Sequence, residues 1–297
     1  LGCRLGSAEG RDGRRALRTL VEGDGDAWVL PVTRLPKGFL RFLDDPPDPP
    51  STPAPSATLI LLRKGDPGLE VLLMERTPRS GFIPGAWVFP GGRVDPEDGD
   101  LGLLPFVHGL THEEARNILA LEDQRASAFA YWVAAARETF EETGVLISPE
   151  VGGVEPGELD RARASLLAGE RSFLEILRSL GLELNLRTLQ YHGYWLTPEC
   201  EPRRYETRFF MTEVESNVPV SPHEKEMVAG RWFTPSEAMA RNQEGTLPLV
   251  LPTLFTLQEL LPYQTPREAL EELGSRPVPR RLPVPERTEG GIRFRIP

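Results

Sequence analysis

The chain has 297 residues, enough for one large or two ordinary domains, and its 28 glycines and 30 prolines are an unusually large share that marks connectors and turns. A formal net charge of −10 excludes the positive field that non-specific nucleic-acid binding needs, so an anionic ligand calls for a local basic patch or a metal. Two cysteines, Cys3 and Cys200, exclude a disulfide framework at this size and point to a reducing compartment.

Residues 1–26 are rich in Arg, Gly, Glu and Asp without periodicity and are expected to form a mobile N-terminal tail. The chain opens on Leu1 rather than Met, as in a processed or artificial start. Its N-terminus lacks the apolar core of a signal peptide, and Arg295-Ile296-Pro297 is no peroxisomal address. No apolar run approaches a membrane span, so a soluble, cytoplasmic protein without a membrane or nucleic-acid partner is expected.

Pro46 to Pro55 reads as an extended connector. Ala57 to Arg63 is an apolar run of strand length, Gly65-Asp66-Pro67-Gly68 a turn, and Leu69 to Glu75 a second, alternating strand. The apolar run Trp87-Val88-Phe89 then enters a Pro90-Gly91-Gly92 turn, where the glycines permit positive φ and close approach of the backbone to a ligand. Farther on, Thr111-His112-Glu113-Glu114 has the form of a capping box before a helical stretch from Ala115 to Glu122. His108 and His112 are spaced like a helical metal pair. Gly109 interrupts that turn and no third ligand is adjacent, so they are not read as a metal site.

Residues 126–143 read as an amphipathic helix. Phe129, Val133, Ala136 and Phe140 make an apolar stripe, and Glu138, Glu141 and Glu142 gather roughly opposite it at i, i+3 and i+4. Three like charges near the negative helix end, before the cap Gly144, repel one another unless something offsets them. A divalent cation removes both objections. The competing reading is a solvated acidic surface.

Residues 158–181 follow as one or two helices with Leu166, Leu167, Phe173, Leu174, Ile176 and Leu177 on an apolar face. Tyr191 to Leu196 and Arg208 to Val214 read as strands. Leu247 to Leu261 suggests a closing helix entered after Pro252. Residues 266–297, with Pro277 to Pro285 as a second connector, are expected to form a solvated C-terminal tail carrying Arg276, Arg280, Arg281, Arg287, Arg293 and Arg295.

Phe89-Pro90-Gly91-Gly92 followed by Arg137-Glu138-x-x-Glu141-Glu142-x-Gly144-Val145 resembles the Nudix hydrolase box, Gly-x5-Glu-x7-Arg-Glu-U-x-Glu-Glu-x-Gly-U with U a bulky apolar residue. Thr139 is a weak substitute at the first U. Counting from Gly92 puts Asp98 at the first Glu position, and counting from Gly91 puts Glu97 there; Asp98 is preferred because the second glycine of such a turn starts the count. From Asp98 to Arg137 there are 38 intervening residues where the usual box has seven, so the box carries an insertion, about 99–127. This interrupted box resembles the peroxisomal coenzyme A diphosphatases and their bacterial relatives. Leu72, Leu73, Arg76, Thr77, Gly85, Phe89, Pro90, Gly91 and Gly92 also fall in the register of the segment that coenzyme A-active Nudix enzymes carry before the box, with departures at Met74 and Gly81.

The resemblance implies an α/β Nudix fold, a three-layer α/β/α sandwich with a mixed sheet, over residues 27–265, with a helical insertion that covers the site or meets a partner. It implies a Mg2+ or Mn2+ site made by Glu138, Glu141 and Glu142 with a carbonyl of Gly91 or Gly92, and an Arg137 that orients a carboxylate. A box glutamate, Glu224 or Glu226 would serve as general base, and Arg76, Arg203 and Arg204 would bind substrate phosphates. The activity so implied is hydrolysis of a diphosphate in a small nucleoside diphosphate derivative. Coenzyme A or acyl-coenzyme A leads, with NADH or ADP-ribose as the alternative, and a non-catalytic nucleotide sensor as the rival of another class.

Overall fold

A computed structural model describes residues 27–78, 83–121 and 127–296. The expected tail at residues 1–26, and with it Cys3, lies outside the described residues, as do Gly81 and Glu122. The strands are β1 (Ala27–Leu30), β2 (Ala54–Lys64), β3 (Leu69–Arg76), β4 (Trp87–Val88), β5 (Gly91–Arg93), β6 (Val107–His108), β7 (Leu184–Asn185), β8 (Gln190–Leu196), β9 (Tyr205–Glu213), β10 (Met227–Phe233), β11 (Arg280–Arg281), β12 (Val284–Thr288) and β13 (Gly291–Arg295). The α-helices are α1 (Phe39–Asp44), α2 (His112–Leu119), α3 (Ala128–Thr143), α4 (Pro156–Leu167), α5 (Phe173–Leu180), α6 (Pro235–Gln243), α7 (Leu251–Leu260) and α8 (Pro266–Leu273).

The centre is a mixed sheet in the order β10-β3-β2-β9-β8-β11, with β2 and β9 parallel along Ala54–Leu62. Its three middle strands are apolar on both faces, because their period-two alternation sends successive residues to opposite sides. Leu59, Leu61, Leu72, Met74 and Phe210 join one core that includes residues of α2, α3, α4 and α5. Ile60, Leu62, Val71, Leu73, Phe209 and Met211 join a second core with α6, α7, α8 and the strands at the two chain ends. The expected three-layer sandwich is therefore what forms.

β2 changes partner along its length, pairing with β3 through Leu62–Lys64 and with β5 through Ser56–Thr58. The Pro90-Gly91-Gly92 turn is thus the entry to a short strand, and the Leu59 N–H donates to the Pro90 carbonyl at 2.9 Å. A Cβ at Gly91, where φ is +155°, would stand 2.4 Å from the Ala57 carbonyl oxygen, so glycine is required for this pairing.

α3 begins two residues later than expected and ends at the expected cap, with Gly144 at φ +78° and its N–H on the Phe140 carbonyl at 2.9 Å. The expected single apolar stripe is too narrow, since Ala128 to Ala136 are buried all round. The insertion is the reason. Leu103, Ala115 and Leu119 share one core with Phe173, Ile176, Leu177 and the residues of α3. The capping box of α2 forms as expected, with Glu114 N–H on Thr111 Oγ1 and Thr111 N–H on the Glu114 carboxylate.

The segment after residue 265 is not a solvated tail. Its Pro277 to Pro285 stretch includes β11, which pairs with β8, and the start of β12. β13 pairs with β1 as well as β12, and Ile292 and Phe294 are buried between the chain ends and the sheet. Alternation of apolar and charged residues in Ile292-Arg293-Phe294-Arg295-Ile296 provides the buried face, and the arginines on the other face were what looked like a tail. Among the described residues no helix is long and apolar enough to cross a membrane.

Candidate active site

Arg137 organises the acidic end of α3. Its Nε and Nη2 donate to Asp98 Oδ1 and Oδ2 at 2.7 and 2.9 Å, Nη2 also to the Arg93 carbonyl at 2.9 Å, and Nη1 to Glu138 Oε1 at 3.0 Å and Glu141 Oε1 at 3.2 Å. Burial pulls this guanidinium down, but its hydrogen bonds to Asp98 and the charges of Glu138, Asp98 and Glu141 hold it above its ordinary value. Asp98 is buried, whereas Glu97 is exposed, so the residue counted from Gly92 is the one that reaches the box arginine. Thr139, in place of an apolar residue, is buried with its hydroxyl on the Ala135 carbonyl at 2.7 Å.

Two of the three box glutamates face a cavity of about 660 Å³. Glu138 and Glu142 line it together with Gly91, Gly92, Arg76, Ser56, Thr58 and Glu226, among others. Glu142 accepts from the Gly91 N–H at 3.0 Å, and Ser56 Oγ donates to the Gly92 carbonyl. Glu141 lies off this lining, half-buried, with its side chain on Arg137 and its carbonyl on Arg163 Nε and Nη2 at 3.0 and 2.7 Å.

Burial pushes the Glu138 carboxyl up to about 7 against the pull of Arg137. It pushes Glu142 well above the usual carboxylate range, and the nearby Glu138 charge adds to that. A divalent cation in this corner relieves both effects, and the donors are all oxygen, as Mg2+ or Mn2+ prefers. Space exists because Gly92 has no side chain: a Cβ there would stand 2.4 Å from Glu138 Cδ. The residues therefore fit a metal. Among the described residues no three acidic, His or Cys side chains form a ready-made cluster, since Arg137 bridges two of the three glutamates.

The loop before β10 is docked on the end of α3. Ser221 and His223 N–H groups donate to the Thr143 and Glu142 carbonyls at 2.8 and 2.9 Å, satisfying helix-end acceptors. The Thr77 N–H donates to the Glu226 carbonyl at 2.8 Å. These bonds carry Lys225 and Glu226 to the cavity wall, while Glu224 is exposed and not on it.

Arg76 lines the cavity, and Arg203 and Arg204 do not. Arg203 is exposed, and Arg204 is buried with Nε on the Thr197 carbonyl at 3.1 Å and Nη1 on the Ser51 carbonyl at 2.9 Å, bracing the connection into β2. No insertion residue among those described lines the cavity. The C-terminal arginines are used elsewhere: Arg287 pairs with Asp44 at 2.6 Å, and Arg281 with Glu259 at 3.5 Å. His108 lies against Glu183, and His112 lies edge-on to Phe129. Sequence reasoning missed Ser56, Thr58, Tyr205, Thr207 and Lys225. The first two had left a trace, as polar residues at alternate positions at the start of an otherwise apolar strand.

Residues 52–260 match the family described as the NUDT19 Nudix domain. The protein named acyl-coenzyme A diphosphatase NUDT19 of Xenopus laevis is 26% identical over 267 residues, covering 77% of this chain and 70% of that protein. Its namesake from Homo sapiens is 29% identical over 224 residues, covering 64% and 57%. A solved NUDIX hydrolase structure from Alicyclobacillus acidocaldarius is similar with a TM-score of 0.63 and 29% identity, over 76% of this chain and 99% of that one. With the split box assembled around Arg137, the chain belongs to the Nudix hydrolases, in the branch of the NUDT19 Nudix domain. Hydrolases of this family generally need divalent cations.

Proposed function

We propose that the protein hydrolyses the diphosphate of coenzyme A or acyl-coenzyme A to 3',5'-ADP and (acyl-)phosphopantetheine, in a cytoplasmic setting and with Mg2+ or Mn2+. The observation that carries this reading is the half-buried Glu138 beside the buried Glu142, both lining a cavity together with side-chain-free Gly91 and Gly92. The names of the related diphosphatases supply the substrate.

Glu138 and Glu142 would hold the cation from within the cavity, with Glu141 as the outer member and a carbonyl of Gly91 or Gly92 beside them. When bound, the cation neutralises diphosphate charge and lowers the pKa of a coordinated water. Arg137 keeps Glu138 and Asp98 in place with its forked bonds. Glu226, at the wall, is the base that takes the proton of the attacking water as the bond from phosphorus to the bridging oxygen breaks. Arg76 and Lys225 offer positive charge to the phosphates.

The test is incubation with coenzyme A and octanoyl-coenzyme A, with Mg2+ or with a chelator, and identification of products by mass. Metal-dependent appearance of 3',5'-ADP is the expected result. Absence of diphosphate cleavage under all conditions would contradict the reading.

A further inference from the structure

A second cavity, of about 190 Å³, adjoins the first. The two share Ile83, Tyr205, Thr207, Phe209, Val250 and Pro252, so one ligand can extend through both. Its size lies below the roughly 300–1,000 Å³ of a whole-ligand pocket, whereas the first cavity lies within that range. It is a place for part of a molecule whose polar part sits next door.

The wall is mostly apolar, and part of it comes from outside residues 52–260. Leu30, Leu35 and Phe39 close it from the N-terminal side, and Pro283 and Phe294 from the C-terminal side, joined by the β1–β13 pairing. Trp195 and Leu196 of β8 complete it. The polar wall groups are mostly engaged: Arg34 donates to the Asn242 side chain and carbonyl at 2.7 and 2.5 Å, and Thr197 Oγ1 accepts from the Tyr205 N–H at 3.0 Å. Burial pushes the Glu201 carboxyl above its ordinary value, toward the neutral form. A nucleobase edge would find little to bond here, and a hydrocarbon needs nothing.

Building on the substrate reading above, we propose that this cavity receives the thioester-linked acyl chain, and that residues 27–44 and 280–296 thereby set acyl selectivity. Each methylene buried there strengthens binding severalfold.

Leu35 lines the apolar cavity and not the catalytic one, and it sits in a loop at the end of a short 3-10 turn. The test compares kcat/KM for coenzyme A, octanoyl-coenzyme A and dodecanoyl-coenzyme A in the full chain, in Leu35→Trp, which fills the cavity, and in Leu35→Ala, which enlarges it. The octanoyl-to-free ratio is expected to fall about tenfold in Leu35→Trp. In Leu35→Ala preference is expected to move toward the dodecanoyl chain, which keeps the test decisive where the larger residue impairs folding. Unchanged ratios in both variants overturn the assignment. So does an equal loss for free and acylated substrate, which means that the cavity holds a part common to both. Turnover of none of the three by the wild-type chain overturns the substrate reading, and this one with it.

Discussion

Arg137 and Asp98 meet across the whole insertion through two parallel hydrogen bonds of 2.7 and 2.9 Å. The pair closes a box that the sequence leaves open by 38 residues, and both side chains are buried. Removing Asp98 leaves the buried Arg137 Nε without its acceptor, so Asp98→Ala is expected to cost about 3–5 kcal/mol in urea denaturation. Asp98→Ala with Arg137→Met should cost less than the sum of the two single changes, since neither partner is then left with unmet donors or acceptors from this pair. Additivity would contradict the pairing.

Gly91 and Gly92 separate stability from activity. A methyl group at Gly91 meets the backbone of Ala57, which cannot move away, so Gly91→Ala is expected to destabilise by about 1–3 kcal/mol. The same change at Gly92 meets the end of the Glu138 side chain. Thermal melting should move little there, while kcat drops about 100-fold because the carboxylate is displaced. Equal effects on melting at both positions would contradict this division.

How much of this was legible in the sequence can be judged residue by residue. The helix, its cap Gly144 and the acidic cluster followed from local periodicity, and the split box from residue identity, because helical spacing and turn chemistry are short-range signals. Arg204 looks like a phosphate ligand in sequence, and Arg287 like part of a solvated tail, yet Arg204 is used on the Ser51 carbonyl and Arg287 on Asp44, partners 153 and 243 positions away. The burial of Phe294 depends likewise on pairing with β1 at the far end of the chain, which no local pattern encodes.

That last point has a direct check. Phe294→Ala is expected to lower stability by about 3–5 kcal/mol in chemical denaturation, as for a large buried aromatic side chain. A solvated tail would give a change within about 0.5 kcal/mol.

Glu224 and Glu226 look equivalent in sequence, and the bonds from Ser221, His223 and Thr77 make them different. Glu226→Gln is expected to lower kcat by about 100- to 10,000-fold with KM little changed, as for loss of a general base. Glu224→Gln, off the cavity wall, should leave both parameters near wild type. The reverse pattern would move the base to the other residue.

The central claim is that buried carboxylates on the box helix act on a diphosphate through a cation, and Glu142 tests it most directly. It is 3% exposed, faces the cavity and accepts from the Gly91 N–H, a bond that a glutamine oxygen also accepts. The measurement is the rate of 3',5'-ADP release from coenzyme A with saturating Mg2+ by wild type and Glu142→Gln, each verified as folded by thermal melting. Loss of at least about 1,000-fold in the variant, with an intact melt and no Mg2+-induced stabilisation, is the expected result. A rate within a few-fold of wild type would contradict it.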